Sequence, residues 1–276
     1  MRKISRLAWL YGGNAWLIAL VPSILKFLSR LTYNRLATKH PTPDMVFMNL
    51  GFIGNDDEPG PALDVVDEPN RLSIQLYHHV GTLIDISGRD VLEVGCGRGG
   101  GASYIKRYLK PASMMGIDLA DRAIDFCRQM HPIPGLGFRQ GDAERIPFKD
   151  HAFEVVMNVE SSHNYPSLET FFREVKRVLR PGGHFLYTDF LLTEALPERR
   201  ELLKQAGFEL VQERDIRLNV LAALDSNTAQ RVALAETLTP VLGSDGARQW
   251  TVTPGSKSLE GLRSGVLTYV SMDLIG

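Results

Sequence analysis

The stretch "DVLEVGCGRGGGASYI", Asp90 to Ile105, decides the fold. "DVLEV" is an apolar run stopped by glycine, which reads as a buried strand. "GASYIKRYLK" takes up a helical period directly after the glycines. A strand, a glycine turn and a helix in that order open a layered α/β sheet. Gly95, Gly97 and Gly100 show the spacing G-x-G-x-x-G, whose backbone can cradle a pyrophosphate.

The same alternation runs outward on both sides. Upstream, Leu72, Leu76, Val80, Leu83 and Ile84 recur at helical spacing, after a Pro-, Gly- and Asp-rich loop over 40–71. Downstream, "SMMGIDL", "LGFRQGDA", "FEVVMNVES", "PGGHFLYTDF", "FELVQERDI" and "GVLTYVSMDLI" read as strands. "DRAIDFCRQMH", "SLETFFREVKRVLR" and "LPERRELLKQAG" read as helices, and "VLAALDSNTAQRVALAETLTPVL" as two more. The pattern predicts an α/β, Rossmann-like fold: a seven-stranded, mostly parallel sheet with helices on both faces. Ligands of such sheets bind beyond the carboxyl ends of the strands, at the switch point. We divide the chain into an N-terminal helical extension or lid (1–60), a core (61–216), and a helical cap with the closing strand (217–276).

The residues around the glycines choose the ligand. The stretch also fits E-x-G-x-G-x-G, found in proteins that bind S-adenosylmethionine. Glu93 would repel a pyrophosphate but favours the ammonium and sulfonium of S-adenosylmethionine. No Gly-Lys-Ser/Thr follows, which excludes a P-loop. Asp118, ending the second strand, can accept from both ribose hydroxyls, as it also would in an NAD enzyme. Asp142, ending the third, can accept from an adenine amino group, with the Ala143 N–H reaching the ring. Any one of these acids alone reads as a loop end or helix cap. The ordered set, followed by "VLRPGGHF", is far more specific, and it leaves an NAD enzyme a poor second.

Composition narrows the context. The chain has 276 residues, 44% hydrophobic and 23% charged, as in an ordinary globular protein. Its net charge of −1 gives no reason to invoke nucleic acid. Two cysteines, Cys96 and Cys127, make no disulfide framework and no metal spacing, and suggest a reducing compartment, the cytoplasm. Residues 1–43 hold seven Lys/Arg and no acid. Between Arg6 and Lys26 lies the uncharged run "LAWLYGGNAWLIALVPSIL". A secretory signal lacks its cleavage site. A membrane span, an interfacial helix with peripheral membrane contact through residues 1–40, and an apolar lid over the core stay open. Homo-oligomerisation stays open too.

Over about residues 70–190 the chain resembles small-molecule class I methyltransferases of the sterol and quinone type. "DEPNRLSIQLYHHV", "LEVGCGRGGGASYI", "GIDL", "GDAERIPF", "NVESSHNYP" and "VLRPGGHFLYTD" look most like phthiotriol/phenolphthiotriol dimycocerosates methyltransferases and related lipid or polyketide O-methyltransferases. The resemblance implies S-adenosylmethionine as cofactor, leaving S-adenosylhomocysteine. It assigns cofactor binding to Tyr77, Glu93, Gly95, Gly97, Asp118, Leu119, Asp142, Ala143 and Asn158. Residues 1–44 depart from the common core.

Methyl transfer to a hydroxyl benefits from a general base beside the acceptor. The loop "NVESSHNYP" offers His163, whose pKa range suits that work, and Glu160, which can orient His163 or bind a substrate hydroxyl. Asp189, ending the fifth strand, is a further candidate. Of the adjacent His78 and His79, one is expected to face the pocket and the other solvent. Apolar stretches in 7–33 and 218–245 suggest a lipophilic small-molecule substrate. The expected activity is O-methylation of a lipid or polyketide hydroxyl in secondary metabolism. The alternatives are C-methylation of a prenyl, sterol-like or quinone substrate, and a cyclase or dehydratase that keeps its cofactor.

Overall fold

The computed structural model describes residues 22–39, 45–55 and 60–276. Its strands are β1 (Asp90–Val94), β2 (Ser113–Asp118), β3 (Leu136–Gln140), β4 (Phe153–Val159), β5 (Leu179–Leu192), β6 (Glu209–Asp215) and β7 (Leu267–Ile275). They form one sheet in the order β3-β2-β1-β4-β5-β7-β6. β3, β2, β1, β4 and β5 are mutually parallel, and β7 runs antiparallel to both its neighbours. The expected seven-stranded, mostly parallel sheet is therefore present. The chain builds outward from β1 to β3, then returns to lay β4 on the other side of β1. That reversal opens a crevice at the carboxyl ends of β1 and β4.

The helices are α1 (Pro22–Lys39), α2 (Arg71–Gly81), α3 (Gly100–Tyr104), α4 (Asp121–Met130), α5 (Leu168–Val178), α6 (Leu196–Gln205), α7 (Arg217–Ser226), α8 (Thr228–Thr251) and α9 (Lys257–Ser264). α5 shows how sequence places them. The Ser167 hydroxyl caps its first turn by accepting from the Thr170 N–H at 3.2 Å. Phe171, Phe172, Val175 and Val178 form one buried stripe, while Glu169 and Arg173 stay in water. Strand alternation then splits the core in two. Val91, Val155 and Met157 pack on the α2 side, and Leu92, Val156 and Phe185 on the α5 side.

The elements between β6 and β7 are all helices: α7, α8, kinked at Gly243, and α9. Segment 45–55 runs beside this insertion, with Phe52 N–H on Leu72 O (3.0 Å) and Ile53 N–H on Asn219 O (3.2 Å). α1 packs against α4 and touches α8. Most of the uncharged run 7–25 lies outside the described residues. Among those described, no helix is long and apolar enough to cross a membrane.

Candidate active site

The turn after β1 holds the first half of the site. Gly95 has φ +79°, a region that side chains rarely occupy, and a Cβ there would press on Ser161. Two residues on, the Gly97 N–H donates to Asp118 Oδ2 at 3.0 Å, and the Ala120 N–H to Oδ1 at 2.9 Å. Burial still pushes the Asp118 carboxyl up to about 6, against the pull of these donors.

Glu93 is wholly buried, and Tyr77 donates its hydroxyl to Oε1 at 2.7 Å. Desolvation raises the Glu93 carboxyl to about 7. Its Oε2 has no hydrogen-bond partner among the described residues, although the Ala102 N–H is near enough to pull the pKa down. Next to it on β4, Asn158 donates through Nδ2 to Val94 O (2.8 Å) and Ser161 Oγ (2.7 Å), while its Oδ1 also has none. Two buried acceptors without a donor, one of them an acid, are costly alone. They suit a ligand that brings a cationic N–H group. The methionine end of S-adenosylmethionine is such a ligand, and Asp118 stands ready for hydroxyls beside it, so the residues present fit the cofactor.

At the outer end, Asp142 accepts the Glu144 N–H through Oδ1 (2.9 Å) and meets Lys26 Nζ through Oδ2 (2.6 Å). Lys26 also pairs with Glu144 at 2.6 Å. Arg30 and Asn34 bind Asp121 at 3.0 and 2.9 Å, so α1 is latched over this end of the sheet. Ala143 is buried beside Asp142, and the Leu119 carbonyl accepts from Gln140 at 3.2 Å.

The second half lies beyond β4 and β5. Glu160 has φ +47°, an unfavourable region for a residue with a side chain. The twist turns its carboxylate toward the Leu50 N–H (2.9 Å) and the Tyr269 hydroxyl. Burial raises it to about 7. Glu160 therefore does not orient His163, as the sequence suggested it could. Asp189 does that. It accepts His163 N–H at 2.9 Å and meets the ring Nδ1 at 2.8 Å. Ser162 Oγ and Phe190 N–H complete the set around this fully buried carboxylate, at 2.5 and 2.9 Å. Burial works to lower the His163 pKa, and the adjacent Asp189 carboxylate outweighs it, holding the imidazole above its usual value. With Nδ1–H donating to Asp189, Nε2 is left as the acceptor, and the Asn164 amide lies 2.9 Å from it.

The adjacent His78 and His79 differ in burial. His78 is half-buried against the Tyr104 hydroxyl (2.8 Å) and keeps part of its surface, while His79 is buried on Ser271 of β7 (2.9 Å) and stacked on Phe52 of segment 45–55. Sequence reasoning also missed Leu50, Tyr269 and Lys26. Each meets its partner across more than a hundred residues, and no local pattern signals that.

Asp118, Glu160 and His163 share one property. Protein surrounds each closely enough to shift its pKa, yet each keeps accessible surface.

Residues 92–187 match the family described as "Methyltransferase domain". The chain is 41% identical over 241 residues to a "Fatty-acid O-methyltransferase" of Mycolicibacterium smegmatis, covering 87% of this chain and 86% of that one. It is 37% identical over 249 residues to a "Phthiotriol/phenolphthiotriol dimycocerosates methyltransferase" of Mycobacterium leprae, covering 90% and 91%. Among solved structures, the cyclase SpnF superposes with TM-score 0.67 at 18% identity, covering 93% of this chain and 95% of that one. A geranyl diphosphate C-methyltransferase from Streptomyces coelicolor gives 0.63 at 17%, covering 88% and 97%. At such identities the structures speak for the fold alone. The sequence relatives go further: the chain belongs to the S-adenosylmethionine-dependent methyltransferases.

Proposed function

We propose that this enzyme is an O-methyltransferase acting on a hydroxyl of a lipophilic metabolite, with His163 as general base. The observation that carries the reading is the His163–Asp189 pair, 2.8 Å apart beside the cofactor half of the site. S-adenosylmethionine supplies a methyl group on a positively charged sulfur; as an acceptor oxygen bonds to it the S–C bond breaks, the electron pair stays on sulfur, and a hydroxyl acceptor sheds a proton. Asp189 fixes the ring tautomer so that Nε2 can take that proton once the acceptor hydroxyl displaces the Asn164 amide from it, and it stabilises the imidazolium that results. Glu93 and Asn158 are assigned to the amino end of the cofactor, Asp118 and Leu119 to its ribose, and Asp142 and Ala143 to its base. Gly95 and Gly97 let the backbone approach it. Glu160, held between Leu50 and Tyr269, is assigned to the acceptor pocket wall.

The lipophilic substrate class draws support from the names of the relatives, a fatty-acid O-methyltransferase and methyltransferases of dimycocerosate lipids. It agrees with the apolar insertion between β6 and β7, where Val220, Leu224 and Leu259 pack with Tyr269. Methyl-labelled cofactor incubated with a long-chain alcohol and the purified protein tests the reading. Label should appear in an ether that survives base, and His163→Ala should abolish most of it. Label bonded to carbon, or turnover that leaves the cofactor unconsumed, would overturn it.

A further inference from the structure

Segment 45–52, a loop by its composition, touches both halves of the site. Met45 is buried in one cluster with Ala235, Leu238 and Ala247 of α8. The Val46 carbonyl accepts the Gly100 N–H at 3.3 Å. Phe47 sets its ring 6.0 Å from that of Tyr77, the residue that binds Glu93. Met48 lies directly on the glycine turn, where a Cβ added at Gly97 would collide with its Cε. Two residues on, the Leu50 N–H donates to Glu160 at 2.9 Å. Phe52 ends the run, tied to the Leu72 carbonyl at 3.0 Å and stacked on His79. Val46, Phe47 and Met48 keep part of their surface, while Met45, Asn49 and Leu50 are buried on either side of them.

The glycine spacing takes on a second meaning here. Gly100 completes G-x-G-x-x-G, a pattern that serves a pyrophosphate, and the cofactor of this family has none. A Cβ on Gly100 would stand 2.6 Å from the Val46 carbonyl oxygen, closer than real Cβ atoms come. Its backbone is helical, a conformation any residue adopts. Gly97 and Gly100 are thus bare where the chain's own segment 46–48 rests on them. We propose that Val46–Leu50 is a strap forming the outer wall of the cofactor site, with the side chain of Met48 packed on the bound cofactor above Gly97. The proposal rests on the assignment of the glycine turn to the cofactor and holds whatever atom is methylated. An unbranched thioether adapts its shape to the ligand and keeps water from it. The strap also joins the halves: one end sits on the glycine turn and the other on Glu160. A ligand that seats Met48 therefore also sets the wall assigned to the acceptor, and it leaves only when the strap lifts.

The test follows hydrogen exchange of the full chain across residues 45–52, with S-adenosylhomocysteine as the probe. If the strap lifts only after the ligand leaves, exchange there slows as 1 + [ligand]/Kd, about a hundredfold at a hundred times Kd. Met48→Ala should speed S-adenosylhomocysteine dissociation about three- to tenfold, the worth of part of one apolar side chain. It should also shrink the slowing at the same multiple of its own Kd. Met48→Leu should restore the wild-type dissociation rate, and Met48→Gln, of similar length but polar, should not. Gly100→Ala puts a Cβ against Val46 in a position that suits a helix, so the segment should exchange fast with or without the ligand. Circular dichroism checks the fold, and Met48→Ala carries the test if Gly100→Ala fails to fold. Wild-type exchange over 45–52 that ignores a bound ligand would overturn the strap alone. So would Met48→Ala with an unchanged dissociation rate, leaving Met48 as a packing residue. A wild type that binds no S-adenosylhomocysteine would overturn the assignment of the glycine turn, and the strap with it.

Discussion

The two halves of the site are built in opposite ways. The cofactor half, at the ends of β1, β2 and β3, uses short contiguous stretches: a glycine turn and three acids, Glu93 and Asp118 in the last two positions of β1 and β2 and Asp142 just beyond β3. Its groups are acceptors, and two of them, Glu93 Oε2 and Asn158 Oδ1, have no hydrogen-bond donor among the described residues. The half proposed for the acceptor, beyond β4 and β5, groups Leu50, Glu160, His163, Asp189 and Tyr269 from distant parts of the chain. Its centre is an imidazole held by a buried carboxylate, the arrangement proposed here as the base. The contrast teaches that one half holds a fixed ligand through backbone and burial, while the other is tuned by side chains from distant elements.

The sharpest way to break that division is at His163. His163→Ala should lower methylation of a long-chain alcohol about 10²–10⁴-fold, the usual worth of a positioned base. Calorimetry should find S-adenosylhomocysteine affinity changed by less than about threefold, since no contact of the cofactor half is touched. Asp189→Asn should follow with a comparable loss, and its pH profile carries a sign. The base works only when neutral, and Asp189 is what holds the His163 pKa above its usual value. Removing that charge leaves burial to lower the pKa. The acid limb of kcat/KM for the alcohol should therefore move to lower pH. An unmoved limb would assign the limb to another group.

Glu93→Gln should break the other half, with a smaller effect. Losing the charge should weaken S-adenosylhomocysteine binding roughly 10–100-fold, in keeping with a charge-assisted contact. In the free protein Glu93 titrates at about 7, raised by burial. A ligand ammonium favours the ionised form, so wild-type affinity should rise with pH up to about 7 and then level off, with a proton released on binding below that. The Gln variant should show neither effect. Stability carries the opposite sign. A raised carboxyl pKa makes the free protein most stable below the ordinary Glu value and costs it stability as pH climbs from there to about 7. At pH 8 the Gln variant without ligand should thus melt higher than wild type, by an amount on the order of a few kcal/mol at most. A variant that binds worse and melts higher would mark Glu93 as a group kept for its ligand.

The same contrast explains what could be read in advance. The sheet and the cofactor half were legible because each device is local: "DVLEVGCG" is strand and turn, and "GIDL" and "GDAER" each carry an acid at a strand end. Asp189 was expected to end the fifth strand, but β5 runs on to Leu192 and keeps it inside the sheet, paired with Val270. Glu160 and His163 were visible as chemistry beside each other, yet their partnership was misjudged. Three residues apart in sequence, they face different walls, because the positive φ of Glu160 swings its carboxylate away. Tyr269 reaches Glu160 only because β7 inserts antiparallel beside β5, setting Tyr269 opposite Phe190. Period and composition do not contain that fact.

Lys26 stands outside both halves and should have the smallest effect. It bridges Asp142 and Glu144 from α1, with a quarter of its side chain still accessible. Its two acids hold its pKa up against a burial that works to lower it. A pair this exposed contributes about 0–1 kcal/mol, so Lys26→Ala should shift Tm by only a few degrees. Its effect on the cofactor is more informative. Lys26 occupies Oδ2 of the carboxylate assigned to the adenine amino group. If the two compete, removing the lysine should raise S-adenosylhomocysteine affinity up to about threefold, more at low salt than at high, because the pair is partly screened. A loss of tenfold or more would reverse the assignment. α1 would then be a wall of the cofactor site rather than a latch over it, and Asp142 would hold that wall in place rather than read the base.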